Sequence, residues 1–448
     1  MINISIPIGA QEIINALENS GHEAYIVGGC VRDSIMGKKP NDWDICTSAV
    51  PEQIKESLQN FRIIETGIKH GTVTVLADDD SYEVTTYRVD GVYTDNRRPD
   101  KVEFIKDLTE DLKRRDFTIN AMAYNPKSGL ADPFGGLSSI ENKIISCVGE
   151  PRDRFNEDGL RIMRAMRFSS TLSFDIDKRT SEMIHYTKGL LWNIAAERIN
   201  SELCKLLLGK NSLDILLEYK DVIKTIIPEF GACIGFDQNT KYHNYTVYEH
   251  TARAVSAYKG NDIAVKLVLL FHDIGKPLCY TADENGGHFY GHAARSLPLA
   301  RAIMQRLRFD TLTINEVEKL IIYHDSKILA TYPFIKRSLN KIGLTSFKRL
   351  LEVKMADDNA KSKEYYDAKY QEYIEVNRIL EDIVASESCY SLKSLAVNGD
   401  DILSLGVPQG KMVGEILSDL LESVINGNVE NKKHLLLDRA KLLINEKI

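Results

Sequence analysis

The stretch G-G-C-V-R-D-S-I-M-G-K-K-P-N-D-W-D-I-C-T, residues 28–47, says most about the fold and chemistry of this chain. Its two glycines, Gly28 and Gly29, follow an apolar segment at 25–27 that predicts a short strand. A helix is predicted over 31–36, with Arg32 in its first turn. Glycines let backbone N–H groups approach a phosphate closely, and a helix N-terminus favours anions. The stretch therefore predicts a site for a polyphosphate.

Two carboxylates close the same stretch. Asp42 and Asp44 lie two positions apart on a predicted strand, so both should point to one face. Carboxylate oxygens suit Mg²⁺, and in a two-metal site one ion activates the attacking hydroxyl while the other neutralises the leaving pyrophosphate. A third carboxylate is expected, and Glu83, at the start of the strand E-V-T-T-Y-R, is the best candidate. The alternative is an edge-strand glutamate that faces water.

Three more motifs follow in order: D-L-K-R-R-D-F-T-I-N-A-M-A-Y (111–124), A-D-P-F-G-G (131–136) and E-D-G-L-R-I-M-R-A-M-R-F (157–168). With residues 28–47 they resemble the tRNA nucleotidyltransferase and poly(A) polymerase family, class II, of the polymerase-β superfamily. The resemblance implies an α+β chain. Its polymerase-β-like head would hold a mixed sheet with helices, and all-α neck, HD-type body and tail domains would follow.

Composition and patterning agree with several globular domains. The chain has 448 residues, of which 43% are hydrophobic and 27% charged. Strand patterns fill the first 145 residues or so, and helical periodicity dominates after Pro151. The predicted domains are a nucleotidyltransferase head (1–148), a helical neck with the nucleobase-recognition helix (149–228), an HD-type helical domain (229–385) and a helical tail (386–448).

Several function classes are excluded by composition. No run approaches 18 apolar residues, so no membrane partner is expected, and the first residues lack the pattern of a signal peptide. The seven scattered cysteines contain no C-x-x-C pair, which favours a reducing cytoplasm. A net charge of −7 argues against a non-specific nucleic-acid coat, but it allows a local basic groove. The oligomeric state stays open.

The motif at 157–168 offers a way to read a nucleobase. Asp158 and Arg161 are three positions apart in a predicted helix, so they should be neighbours. A carboxylate beside a guanidinium accepts from an amino group and donates to a ring nitrogen. Cytosine and adenine present that pattern, whereas uracil and guanine present the opposite one. The resemblance assigns both residues this role, and Arg164 and Arg167 extend the basic stripe. The alternative is a surface ion pair on a solvated helix face.

The motif at 111–124 resembles the ribose-recognition motif of the family. Arg115 can hold a phosphate with two hydrogen bonds. Asp116 and Asn120 could bond ribose hydroxyls, although Asp116 could instead be a helix N-cap. The polar segment Tyr93–Asp100 predicts a loop, and the family places a flexible loop here.

A second group of chemically distinctive residues begins after residue 243. The segment H-D-I-G-K-P and its spacing to other histidines resemble the HD phosphohydrolase superfamily. The resemblance implies a metal site with His250, His272, Asp273 and Asp357 as ligands, and Asp358 is an equally available choice. His292 and His324 match extra histidines of many HD domains. Imidazole with carboxylate suits a transition metal. Such domains hydrolyse cyclic phosphates or phosphomonoesters, or are inert.

The family implies a function: addition of C, C and A to the 3′ end of tRNA from CTP and ATP, with Mg²⁺. Same-fold alternatives are an A-adding enzyme, a CC-adding enzyme and a poly(A) polymerase. The chain ends without a long basic extension, which argues against the polymerase, and an intact Arg97-Arg98-Pro99 argues against the CC-adding form. A chain that is mainly an HD phosphohydrolase is the alternative from another class. The intact Asp42 and Asp44 argue against it.

Overall fold

The structure is a computed structural model that describes residues 2–65, 67–91, 102–239, 244–284 and 286–447. The chain divides into two compact units, Met1–Pro228 and Glu229–Ile448. Strands of the main sheet lie in the first unit, and the second is almost entirely helical. None of the helices in the described ranges is long and apolar enough to cross a membrane. The predicted α+β class is confirmed, while the finer division into four domains stays a prediction.

The first unit contains eleven α-helices and eleven strands among its described residues. The strands are β1 (Ala24–Val27), β2 (Asp44–Thr47), β3 (Arg62–Ile64), β4 (Thr72–Ala77), β5 (Asp80–Thr86), β6 (Arg88–Asp90), β7 (Val102–Phe104), β8 (Ala123–Asn125), β9 (Gly129–Ala131), β10 (Ile144–Ile145) and β11 (Asp175–Ile176). The helices are α1 (Ile8–Asn19), α2 (Gly29–Ile35), α3 (Pro51–Ser57), α4 (Leu108–Lys113), α5 (Gly136–Glu141), α6 (Pro151–Glu157), α7 (Leu160–Leu172), α8 (Lys178–Thr187), α9 (Ala196–Leu207), α10 (Ser212–Glu218) and α11 (Lys220–Ile226).

Seven strands form one mixed sheet in the order β3-β4-β5-β2-β1-β8-β9. The alternation in T-V-T-V-L-A of β4 buries Val73, Val75 and Ala77, as a strand with one face on a core requires. These side chains share a core with apolar residues of α1, such as Ile13 and Leu17. In this sheet β2 and β5 run parallel, while the other neighbours are antiparallel. This one parallel pair carries two of the three predicted carboxylates, Asp44 and Glu83.

The second unit contains ten α-helices and one short hairpin among its described residues. The helices are α12 (Val247–Ala257), α13 (Ile263–Phe271), α14 (His292–Arg306), α15 (Thr311–Tyr323), α16 (Tyr332–Ile342), α17 (Leu344–Asn359), α18 (Lys363–Ala385), α19 (Gly399–Leu403), α20 (Lys411–Ile425) and α21 (Lys433–Lys447). The hairpin is formed by β12 (Thr281–Asp283) and β13 (Gly286–His288). Helix α13 is buried along nearly its whole length, which suits its apolar sequence I-A-V-K-L-V-L-L-F.

Two local predictions are wrong. Strand β2 begins at Asp44, so Asp42 lies in the preceding segment and is exposed. The helix predicted through 157–168 is broken, because Asp158 has an extended backbone (φ −138°, ψ 104°) between α6 and α7. The dipeptide Asp158-Gly159 is a local turn signal that the helical pattern around it outweighed in the prediction. The predicted loop at 93–100, with Arg97 and Arg98, lies outside the described residues.

Candidate active site and candidate metal centre

A polar cavity of about 450 Å³ lies at the turn between β1 and α2. Gly28 has φ 82°, a conformation that favours glycine, and a Cβ there would lie 3.0 Å from Arg115 Nη1. The turn thus needs glycine for its backbone and for the approach of an arginine. The cavity brings together most residues of the predicted nucleotide site, with three further residues. The predicted ones are Gly28, Gly29, Arg32, Asp44, Arg115, Asp116, Asn120, Asp158, Arg161, Arg164 and Arg167, and the further ones are Arg114, Phe168 and Arg198.

The carboxylates meet across the parallel strands. Asp44 and Glu83 are direct register partners on β2 and β5. Since β5 lies between β4 and β2, Glu83 is not on an edge strand. Burial, the charge of Glu83 and the weaker effect of Asp42 raise the pKa of Asp44 to about 6, although Arg115 opposes the shift. Within the described residues, the sets of metal-ligating atoms that converge within 4.8 Å do not include this trio.

The charge of the cavity suits a polyphosphate. Its lining holds seven arginines against three aspartates. Arg115 Nε is buried and has no hydrogen-bond partner among the described residues, while its Nη2 lies 3.4 Å from Asp111. Arg32 Nη1 donates to Asn120 Oδ1 at 2.6 Å. A partly buried guanidinium whose Nε–H is an unused donor beside a glycine turn is a suitable contact for a phosphate oxygen.

Asp116 is buried and its hydrogen bonds are satisfied within the protein. Its carboxylate accepts from Arg164 (2.6 and 2.8 Å) and from the side chain of Asn120 (3.1 Å). Burial opposes ionisation, but Arg164, Arg161 and the hydrogen bond from Asn120 outweigh it and lower the pKa of Asp116 to about 2. Asp116 thus orients two residues of the cavity wall. Its contact with a ribose hydroxyl stays a prediction.

Asp158 and Arg161 line the cavity, but they are not paired with each other as the helix pattern predicts. Arg198 Nη2 lies 2.8 Å from Asp158 Oδ2, and Arg161 Nη1 lies 2.6 Å from Glu157 Oε2. The cause is the break between α6 and α7, which takes Asp158 off the helix face. The sequence analysis missed Arg198 and Glu157. Glu157 belongs to the motif at 157–168 and could have been found there. Arg198 on α9 lies outside the motifs, so no local sequence signal predicts its role.

Phe168 is a further residue that the sequence analysis missed. Its ring has three guanidinium groups over or near it, with Cζ of Arg167, Arg32 and Arg164 at 3.6, 5.1 and 5.4 Å from the ring centroid. Arg167 is held from the other side by Glu202 at 2.8 Å. Guanidinium groups are attracted to aromatic faces, so the ring fixes the positions of the cavity's cations.

The helical unit places the predicted HD residues together. His250, His272, Asp273 and Asp357, all buried, offer ligand atoms within 4.8 Å of one another. His250 Nε2 lies 2.7 Å from Asp357 Oδ1, and His272 Nε2 lies 3.2 Å from the same oxygen. Burial opposes protonation of His272, but Asp273 and Asp357 outweigh it and raise its pKa to about 10. Asp358 faces Lys361 and Tyr373 instead.

His292 and His324 form a second group with Asp273. Their Nε2 atoms are 3.0 Å apart, and His292 Nε2 lies 3.3 Å from Asp273 Oδ1. Each Nδ1 faces a backbone carbonyl, of Phe289 and of Ile321, so each Nδ1 carries the proton in the neutral ring. Two Nε2 lone pairs therefore face each other, an arrangement that a cation would stabilise. Lys276 is buried, and its Nζ lies 2.7 Å from Asp273 Oδ2 and 2.8 Å from Gln238 Oε1.

Family models match three parts of the chain. Residues 24–146 match the poly A polymerase head domain, 173–233 match the probable RNA and SrmB-binding site of polymerase A, and 295–440 match a putative tRNA nucleotidyltransferase domain 2. The head fold and its carboxylate and arginine cavity thus define the class of protein as an RNA nucleotidyltransferase.

Relatives that match over nearly the whole chain place it in one family within this class of enzyme. The chain is 33% identical to the CCA-adding enzyme of Ligilactobacillus salivarius (strain UCC118), over 98% of this chain and 97% of the relative. It is 33% identical to the CCA-adding enzyme of Enterococcus faecalis (strain ATCC 700802 / V583), over 96% and 95%. The chain belongs to the family of CCA-adding enzymes, which confirms the resemblance carried by the head motifs.

Solved structures agree. The Bacillus stearothermophilus CCA-adding enzyme in complex with CTP is 29% identical, with a TM-score of 0.72 over 98% of each chain. The Thermotoga maritima CCA-adding enzyme complexed with tRNA_CCA is 20% identical, with a TM-score of 0.61 over 97% of this chain and 94% of that one. The second likeness is one of fold alone.

Proposed function

We propose that this chain adds C, C and A to the 3′ end of tRNA from CTP and ATP, in the cytoplasm. The observation that carries the proposal is the cavity in which Asp44, the register partner of Glu83, meets an arginine wall and Asp158 with Arg161. An untemplated enzyme must read its nucleotide with protein groups alone, and these residues supply both hydrogen-bond types for cytosine and adenine.

Each part of the cavity has a role in this proposal. Arg115 and Arg32 bind the triphosphate, and the glycine turn brings backbone N–H groups close to it. Asp42, Asp44 and Glu83 would hold Mg²⁺, since hard carboxylate oxygens fit that ion, and a bound cation would offset the burial and the charge of Glu83 that raise the pKa of Asp44. When bound, such ions activate the 3′-hydroxyl and neutralise pyrophosphate. Asp158, held by Arg198, and Arg161 select the base.

The test uses tRNA transcripts that lack the whole CCA end, lack the terminal A, or are complete. Labelled C and A should enter the shortest transcript and stop at CCA. C without A, A only on the longer transcript, or unlimited A would replace the proposal by the CC-adding, A-adding or poly(A) alternative. Asp44→Asn should abolish incorporation, because the amide cannot replace the charged ligand. No incorporation by the unaltered protein on any transcript would refute nucleotidyl transfer.

A second function is proposed for the helical unit: a transition-metal centre that hydrolyses phosphoesters. The supporting observation is the two buried ligand groups that share Asp273, one through Oδ2 and the other through Oδ1. We assign one cation position to His250, His272, Asp273 and Asp357, and a second to Asp273, His292 and His324. Histidine with carboxylate suits Mn²⁺, Co²⁺ or Zn²⁺ better than Mg²⁺.

Metal analysis tests this second function. The purified full chain should retain Mn²⁺ or Co²⁺ after dialysis, and His272→Ala should lose it. His434→Ala is the matched control, since His434 is exposed and far from the cluster in sequence. Hydrolysis of 2′,3′-cyclic AMP or p-nitrophenyl phosphate should follow the metal content. A chain that retains no transition metal would refute this function without affecting nucleotidyl transfer.

A further inference from the structure

A cavity of about 200 Å³ in the helical unit lies between the end of α15, the end of α17 and the first half of α18. We propose that this cavity is the substrate pocket of the histidine–aspartate centre, that it takes a terminal phosphate ester on a single sugar, and that Lys354 and Lys361 bind the phosphate. The inference rests on the metal function proposed above.

The position of the cavity is the first observation. His324 and Asp357 belong to the two ligand groups, one to each, and both line this cavity. A molecule in the cavity is therefore next to both groups. The volume lies below the range of about 300–1,000 Å³ typical of pockets for drug-sized ligands. It has room for a phosphate and a sugar but not for an internal phosphodiester with a nucleoside on each side.

The lysines are the second observation. Lys354 Nζ donates to the carbonyl oxygen of His324 at 2.6 Å, and Lys361 Nζ lies 2.9 Å from Asp357 Oδ2 and 2.7 Å from Asp358 Oδ1. An ammonium has three donors, so each lysine keeps at least one for a further oxygen. A cation held by Asp357 would balance that carboxylate, which leaves the charge of Lys361 available to an anion. Lysine is a common point-charge contact for phosphate.

The remaining wall combines aromatic and aliphatic side chains with further charged ones. The ring of Tyr365 lies 5.2 Å from Lys361 Nζ, and the hydroxyl of Tyr373 donates to Asp358 at 2.5 Å. Ile328 and Val376 line the cavity as well. A phosphate at the lysines would therefore place its sugar against tyrosine and aliphatic side chains, which suits a nucleoside phosphate.

The experiment measures inorganic phosphate binding to the Mn²⁺-loaded full chain by isothermal titration calorimetry. Lys354→Met is the main variant, because Lys354 contacts a backbone carbonyl and neither ligand carboxylate. Lys361→Met is the second variant. Lys411→Met is the control, since its side chain is 91% exposed. The Mn²⁺ content of every variant is determined alongside.

We expect Lys354→Met and Lys361→Met to weaken phosphate binding at least about 10-fold at unchanged Mn²⁺ content, and Lys411→Met to match the unaltered protein. A nucleoside monophosphate should compete with phosphate, and a dinucleotide with only an internal phosphodiester should not. Two results at normal Mn²⁺ content would overturn the pocket and leave the metal function standing. One is that the unaltered protein does not bind phosphate, and the other is that both lysine variants bind phosphate as tightly as the unaltered protein. Absence of Mn²⁺ from the unaltered chain refutes both.

Discussion

Arg198 on α9 holds the carboxylate of Asp158 through an ion pair whose Nη2–Oδ2 distance is 2.8 Å. Asp158 lies in the break between α6 and α7, where no helical backbone holds it. The ion pair joins it to a different helix, α9, and so fixes its carboxylate. Asp158 is the predicted acceptor for the amino group of cytosine or adenine. Base selection should therefore depend on Arg198, which need not touch the base.

Arg198→Met is expected to lower the ratio of CTP to UTP incorporation at least about 10-fold, because Asp158 loses its fixed orientation. Asp158→Ala should lower that ratio as far or further. The ratio of kcat/KM values measures both effects. Arg179→Ala is the control, since its ion pair with Glu150 is exposed. Equal selectivity in Arg198→Met and the unaltered protein would show that this ion pair does not orient the base reader.

Asp44 should make nucleotidyl transfer sensitive to pH in the mildly acidic range. Its pKa is raised to about 6, and only the ionised carboxylate holds a cation well. At limiting Mg²⁺, incorporation should fall as the pH drops from 7 to 5, with a midpoint near 6. Saturating Mg²⁺ should move the midpoint to lower pH, since the cation competes with the proton. A midpoint that stays the same at every Mg²⁺ concentration would contradict the role of Asp44 as a Mg²⁺ ligand.

Phe168 should position the triphosphate-binding arginines. Phe168→Leu removes a ring that attracts three guanidinium groups, at roughly 0.5–2 kcal/mol for each such contact. We expect KM for both CTP and ATP to rise several-fold, with a smaller change in kcat. Phe168→Tyr should restore KM because it keeps the ring. If Tyr and Leu variants behave alike while both remain folded by circular dichroism, the ring face is not the cause.

The two ligand groups of the helical unit should differ in their response to mutation. The double variant His292→Ala with His324→Ala should reduce bound Mn²⁺ from two ions per chain to one, whereas Asp273→Asn should remove most of both, because Asp273 serves both groups. Atomic absorption measures the ratio. Nucleotidyl transfer should be unchanged in both variants. A single ion in the unaltered chain, retained in the double variant, would eliminate the second position.

Much of the site could be predicted because it is written in short motifs. The glycine turn, Asp42, Asp44 and the arginines at 114–115 and 161–167 are local in sequence. Glu83 required one further step, namely the expectation that a third carboxylate lies on a neighbouring strand. The order of the HD residues predicted a cluster in the same way, although it left Asp357 and Asp358 equivalent.

The sequence by itself determined the class of fold, the family and most residues of both clusters, because those depend on local pattern and composition. Only the tertiary structure decided which partners the charged groups take. Arg198 reaches Asp158, Phe168 gathers three arginines, and Asp357 rather than Asp358 turns to the histidines. These contacts join side chains far apart in sequence, or depend on where a helix breaks. Packing between elements sets the long-range contacts, and no local pattern records them.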